Sequence, residues 1–471
     1  MKYSNPVSIL STTVLIAFSA MLTPLPAQSA PATNYDESEV GSLPIPDVLT
    51  ATDGTKITDK AAWLAKRRPE LLRSFANEVY GKTPQAPVTM RVWETAPDKS
   101  VFGGKGVMRQ TTLEFSAAAA ATTMADDTTT GGAKAGATTA ARVQASLLLF
   151  LPAAAQNKPV PVFVILNFWG NHSVINTPDI ALSDAWFRNS DALGYINHRA
   201  TESSRGCKAN RYPIEAILER GYGLATAYYS DFDPDVDDDF QNGVHPLFYR
   251  DGRQEKQRPA DDEWGAIGAW AWGLSRMADH LVSLPQVDAH KLIVLGHSRL
   301  GKTALWAGAQ DERFAIVISN NSGEGGAALA RRNYGETIRD LNRNFPHWFC
   351  KNYRRYSGNE GALPADQHAL IALMAPRPVY IASAVEDRWA DPKGEFLSGK
   401  LAEPVYALFG KPGLGASVDS LPAPETPVGD FIGYHLRNGI HDLTPYDWNR
   451  FMDFADRRLR PVSPDSPGQK P

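Results

Sequence analysis

A doubly wound, mostly parallel α/β sheet in one domain is the fold this 471-residue sequence predicts. Three observations carry that expectation. From residue 160 onward, short apolar runs alternate with helix-like segments and show no internal repeat. The runs are continuously apolar, as parallel strands covered on both faces must be. One of them passes through Gly296-His297-Ser298 straight into a helix-forming stretch. Such βαβα order places helices on both faces of the sheet, a three-layer sandwich. At about 150 residues per domain the length would allow three domains, but no composition break appears after residue 150.

Residues 1–30 read as an export signal: Lys2 opens it, Val7–Leu22 is apolar, and Ala27–Ala30 supplies small residues for cleavage. The mature chain is therefore expected to be secreted or periplasmic. No later segment reaches the roughly 18 consecutive apolar residues of a membrane span. Residues 31–460 read as the single catalytic domain. Its polar first thirty residues lead into a helix over 61–80, where Trp63, Leu64, Leu71, Leu72, Phe75 and Val79 recur at helical spacing before Gly81 and Pro84. Val88–Trp93 and Val107–Phe115 alternate like paired strands, and the pairing resumes at Val143–Leu151. Between them, 117–141 is an Ala/Thr/Gly tract too poor in large side chains to order itself, hence a flexible insertion. Val160–Phe168, Gly223–Tyr229, Leu292–Leu295, Ala315–Ser319 and Val379–Ala384 are the expected central strands, with helices at 213–220 and 264–282. An amphipathic helix carrying Trp448, Phe451, Met452 and Phe454 closes the domain, and the Pro/Ser-rich 461–471 is expected to be a disordered tail.

Hydrophobic residues make up 43% and charged residues 21%, with a net charge of −4 spread over both signs. Global disorder is excluded, and a nucleic-acid partner is disfavoured because no basic face is concentrated anywhere. Two cysteines, Cys207 and Cys350, permit either one disulfide or two buried thiols. They are too few for a Cys-based zinc site, and no phosphate loop or metal cluster stands out, so no cofactor or metal is expected.

The strand Leu292–Leu295 running into Gly296-His297-Ser298-Arg299-Leu300-Gly301-Lys302 is the strand–turn–helix setting of a nucleophile elbow. The second glycine of G-x-S-x-G is displaced by one place, to Gly301. A serine hydroxyl needs a base and an orienting carboxylate, and in α/β-hydrolases these follow in the order Ser, acid, His. His347, His368, His435 and His441 follow Ser298. His441, in a polar loop before the last helix, stands where the base belongs, and His435 reads as structural. After the strand Val379–Ala384 come Glu386, Asp387 and Asp391, which spacing alone does not rank, and Glu324 follows another strand end.

These residues resemble the glucuronoyl esterases of carbohydrate esterase family 15, particularly bacterial members. Resemblance spans about residues 35–460 and rests on Asn167–His172, Gly296–Lys302, Ser322–Ala328, Tyr334–Glu336, Glu386–Pro392 and His441–Pro445. It implies an α/β-hydrolase fold and hydrolysis of the ester between 4-O-methyl-glucuronate on glucuronoxylan and a lignin alcohol, by a monomer. Carried across residue by residue, it makes Ser298 the nucleophile, His441 the base and Arg299 the oxyanion partner. Lys302 and Glu336 become sugar-binding residues, and Trp389 an aromatic wall of that pocket. Many members carry Glu immediately before the Ser-Gly of the glycine motif, where this chain has Asn321. Others use an acid after the later strand, which matches Asp387; Glu324 is the alternative. Placing Cys207 and Cys350 near the site entrance, the resemblance also favours their pairing. The rival readings are another serine carbohydrate esterase, such as an acetyl xylan esterase, and an inactive sugar-binding member of the fold.

Overall fold

Ten strands hydrogen-bond into one sheet in a computed structural model that describes residues 33–41, 44–117, 141–249, 259–415 and 420–459. The leader 1–30, the tract 117–141 apart from its end residues, and the tail 461–471 lie outside the described residues. From Asn34 onward the chain forms one compact unit. In chain order the strands are β1 (Val88–Val101), β2 (Gly106–Ala117), β3 (Arg142–Pro152), β4 (Val160–Asn167), β5 (Tyr195–Ile196), β6 (Arg199–Ala200), β7 (Gly223–Tyr228), β8 (Val287–His297), β9 (Phe314–Asn320), β10 (Val379–Ala384), β11 (Val428–Gly429) and β12 (Ile432–Arg437). The main sheet runs β1-β2-β3-β7-β4-β8-β9-β10-β12-β11, and β5 with β6 makes a separate small hairpin. From β7 to β12 neighbouring strands are parallel, while β1, β2, β3 and β11 add antiparallel margins.

The central strands are apolar throughout because each face meets a different layer. On β4, Val162, Val164 and Leu166 join one core cluster, and Phe163 and Ile165 the other. On β8 the same division puts Leu292 and Val294 opposite to Ile293 and Leu295. Helices Ala266–Leu281 and Arg299–Gln310 cover the first face. Helices Ile214–Glu219 and Pro445–Leu459 cover the second, with Trp448 meeting Phe163 edge-on at 5.3 Å. This is the doubly wound, mostly parallel arrangement expected from the strand–helix rhythm, and the α/β-hydrolase fold that the family resemblance implies. The helix expected over 61–80 is built in pieces: a single turn, a π-helical stretch at Trp63–Arg67, and an α-helix at Arg68–Glu78. Helix Pro392–Leu408 has no counterpart among the elements expected from sequence, whereas His435 lies, as its structural reading requires, near the end of β12.

The expected Cys207–Cys350 disulfide is not formed; both are free thiols. The reason is local packing. The Cys207 sulfur lies 3.8 Å from the Tyr195 hydroxyl, in the loop region that follows β4, and burial raises its thiol pKa. Cys350 packs at the end of the N-terminal helix, its thiol facing the Asn77 carbonyl at 3.7 Å, and burial pushes it up to about 12.

Ser116 on β2 and Arg142 on β3 are register partners, so the tract between them leaves and re-enters the sheet at neighbouring points. Loop-closure cost rises only slowly with length. Replacing residues 118–140 by a short Gly-containing turn should leave the thermal midpoint within a few degrees and activity unchanged; a fall of ten degrees or more would show that the tract packs on the domain.

Candidate active site

Ser298 stands in the bend between β8 and helix Arg299–Gln310 with φ 58° and ψ −131°, a backbone region L-residues rarely occupy. The bend is so tight that a Cβ on Gly296 would lie 1.8 Å from the Leu300 carbonyl oxygen, so only glycine fits there. The Ser298 amide donates to the Asn320 carbonyl on neighbouring β9 at 2.9 Å, which ties the bend to the next strand. Strain held in this way presents a serine at the carboxyl end of a sheet.

Asp387 follows β10 and His441 lies in the loop after β12, two strands that are direct neighbours. Their side chains meet: His441 Nδ1 and Asp387 Oδ2 are 2.6 Å apart. Asp387 is buried, and its Oδ2 also accepts from the Asn321 amide at 2.8 Å. The other carboxylates go elsewhere. Glu386 is exposed, and Asp391 is buried against Arg332 at 2.8 Å and caps Gly394 N at 3.0 Å. Glu324, the alternative acid, accepts from the Tyr353 hydroxyl at 2.8 Å rather than from His441; burial, reinforced by Asp366, holds its pKa well above the carboxylate range.

His441 is 40% exposed along its side chain, yet its backbone is firmly held. Arg437, at the end of β12, donates to the carbonyls of Asn438 (2.9 Å), Ile440 (2.8 Å) and Asp442 (2.7 Å), which bracket the histidine. Asp447 fixes Arg437 at 3.0 Å and also receives His435 Nε2 at 2.9 Å, Thr444 N and Oγ1 at 2.7 Å, and Asn320 at 3.3 Å. His435 is thus a buried structural residue. Asn320 in turn accepts from His297 Nδ1 at 2.6 Å, and the His297 ring lies 4.5 Å from the His441 ring. Complete burial, with the His441 charge beside it, drives the His297 pKa well below its ordinary value, so His297 stays neutral.

On the other side of Ser298, Arg299 pairs with Asp235 at 2.9 Å and lies over the Trp348 ring at 4.8 Å and the Phe168 ring at 5.4 Å. Burial opposes its charge, but Asp235 prevails and raises its pKa. Asp235 also accepts from His347 Nε2, Trp348 Nε1 and the Tyr229 hydroxyl. One turn further along the helix, the Lys302 ammonium is buried, donating to the Ser322 carbonyl at 2.7 Å and to Glu336 at 3.1 Å. Trp389 is 37% exposed and accepts the Glu336 amide on its carbonyl at 2.9 Å, so it borders that pair at the surface. Sequence reasoning missed Asn320, Asp235, Arg437 and Asp447. Only Asp447 left a trace, as an acid three residues after Thr444 at a helix start.

Arg437→Met should cost about 3–5 kcal/mol by denaturant unfolding, because Asp447 would then be buried without its cation. A loss below about 1 kcal/mol would mean that the other donors suffice.

Comparisons with known proteins point to one family. A family profile described as "Glucuronyl esterase, fungi" matches residues 258–410. A carbohydrate esterase, MZ0003, from an unknown prokaryotic organism is 43% identical over 448 residues, covering 95% of this chain and 97% of its own. The solved structure of a promiscuous CE15 esterase from a marine bacterial metagenome superposes with a TM-score of 0.79 at 42% identity, covering 91% of this chain and all of that one. A glucuronoyl esterase from Solibacter usitatus gives 0.78 at 42%, covering 90% and 100%. With near-complete coverage at such identity, the chain belongs to carbohydrate esterase family 15, the glucuronoyl esterases, and is a carboxylic ester hydrolase.

Proposed function

We propose that this protein hydrolyses the ester joining 4-O-methyl-glucuronate side chains of glucuronoxylan to lignin alcohols, through a Ser298–His441–Asp387 triad and an acyl-enzyme. The observation that carries the substrate reading is the buried Lys302–Glu336 pair one helical turn behind Ser298. A small acyl group has no use for a buried donor–acceptor pair at that depth, whereas a pyranose ring with several hydroxyls does. The glucuronoyl esterase named among the relatives supports the same substrate class.

In this mechanism Ser298 Oγ attacks the ester carbonyl while His441 takes its proton. Asp387 accepts from the other ring nitrogen and stabilises the imidazolium, and Asn321 keeps that carboxylate in line. The tetrahedral oxyanion is met by Arg299, whose guanidinium is oriented by Asp235. His441 then protonates the departing alcohol. Water, deprotonated by the same histidine, releases glucuronate and restores Ser298. The leader at residues 1–30, with its apolar stretch Val7–Leu22, supports export, which brings the enzyme to its polymeric substrate.

Turnover of the benzyl ester of glucuronic acid by the wild type, lost in Ser298→Ala, is the primary test. Faster turnover of acetylated xylan than of any glucuronate ester would make an acetyl esterase the better reading. Asp387→Asn should lower kcat by about 10²–10³, less than the roughly 10⁴ for the same change in a serine protease because His441 is partly solvated. Glu324→Gln should cost only a few-fold, and the reverse order would exchange the two assignments.

Lys302→Ala and Glu336→Ala should each weaken glucuronate turnover by about 1–3 kcal/mol in kcat/KM, through buried polar groups left unpaired. A small acetyl ester should be nearly unaffected, and equal losses on both substrates would assign the pair to the scaffold.

A further inference from the structure

The first residues of the compact unit do not trail into solvent; they are strapped across the rim of the candidate sugar pocket. The Asn34 carbonyl accepts the amide of Gly335, immediately before Glu336, at 2.9 Å. Arg388, between Asp387 and Trp389, donates to the Tyr35 carbonyl and, at 3.0 Å, to the Tyr334 hydroxyl. Glu37 then pairs with Arg332 at 2.6 Å and with Lys393 at 2.7 Å. Three anchors within four residues fix this short segment against the loops carrying Glu336 and Trp389.

What the strap carries there is an aromatic ring. Tyr35 meets Tyr334 edge-on at 6.0 Å and has the Arg388 guanidinium 5.0 Å from its centroid. Tyr35 nevertheless remains 40% exposed, much like Trp389 at 37%. Most large aromatic side chains of this protein are buried, so two half-exposed rings beside one pocket need a reason. The Tyr35 ring is held by Tyr334 and Arg388 rather than swinging freely, so little of its rotamer freedom is lost on binding. Rigid aromatic faces of this kind suit the C–H face of a neutral pyranose.

We propose that Tyr35, with Trp389, forms a further carbohydrate subsite that takes a neutral xylose unit of the chain bearing the glucuronate. This rests on the glucuronoyl reading above. Continuity decides the occupant: the subsite adjoins Glu336 and Trp389, at the sugar end of the site, whereas the alcohol leaves from the reacting carboxyl. On this view the N-terminal strap is a specificity element that distinguishes xylan-linked glucuronate from the free monosaccharide ester.

The test compares wild type, Tyr35→Ala and Tyr35→Trp on three substrates: methyl glucuronate, benzyl glucuronate, and the methyl ester of glucuronoyl-xylotriose. One aromatic contact is expected to change kcat/KM about three- to tenfold. Tyr35→Ala should show that loss on the xylotriose conjugate alone, chiefly in KM, and Tyr35→Trp should restore it. Equal losses on all three substrates would overturn the proposal by making the strap a scaffold. A loss on benzyl but not methyl glucuronate would overturn it in favour of an alcohol-side contact, and no loss anywhere would overturn it outright. If the wild type turned over none of the three, the glucuronoyl reading itself would fail and the subsite with it.

Discussion

The Asp447 carboxylate is the buried charge on which the candidate site depends. Its desolvation is costly, and an isolated carboxylate there would be protonated. Donors from His435, Arg437 and Thr444 outweigh burial and lower its pKa, so it remains ionised. Stability gained in this way is present above the unfolded carboxyl value and is lost as pH falls through the lowered folded one. Because Asp447 lies in the first turn of the last helix and takes donors from β9 and β12, one carboxylate sets the relative position of three elements. Arg437 extends the same constraint to the carbonyls around His441.

Two consecutive asparagines at the end of β9 distribute that constraint further. Asn320 takes the Ser298 amide on its carbonyl, and its side chain bridges His297 and Asp447. Asn321, held at φ 48°, turns its amide onto Asp387. The strained bend at Ser298, His441 and the Asp387 carboxylate are therefore referred to one strand end, although they arrive from β8, β12 and β10. An amide suits this linking position because it donates to one partner while its backbone serves another, with no charge of its own to desolvate.

How far the sequence reveals all this depends on the type of signal. Strands covered on both faces are legible because each residue must be apolar, and the serine bend is legible because Gly296 admits no side chain. The choice of acid is not. Glu386, Asp387 and Asp391 lie within six residues and differ only in what the folded chain sets opposite them: solvent, His441 and Arg332. Asp447 reads as an ordinary helix-start acid until β12 brings Arg437 and His435 to it. The cysteine pairing failed for a related reason: residue identity permits a disulfide, whereas only packing decides whether the sulfurs meet.

Charge matching around Ser298 bears on what happens after catalysis. Arg299 is already paired with Asp235, and Lys302 with Glu336. On the proposed mechanism an uncharged ester would meet no bare cation here, and hydrolysis would convert it into a carboxylate. Each cation already has an acidic partner, so the lasting carboxylate product would find less attraction here than an unpaired arginine or lysine would give it. On that mechanism the charge created by hydrolysis would gain little hold on the site, and product release would follow from its electrostatics.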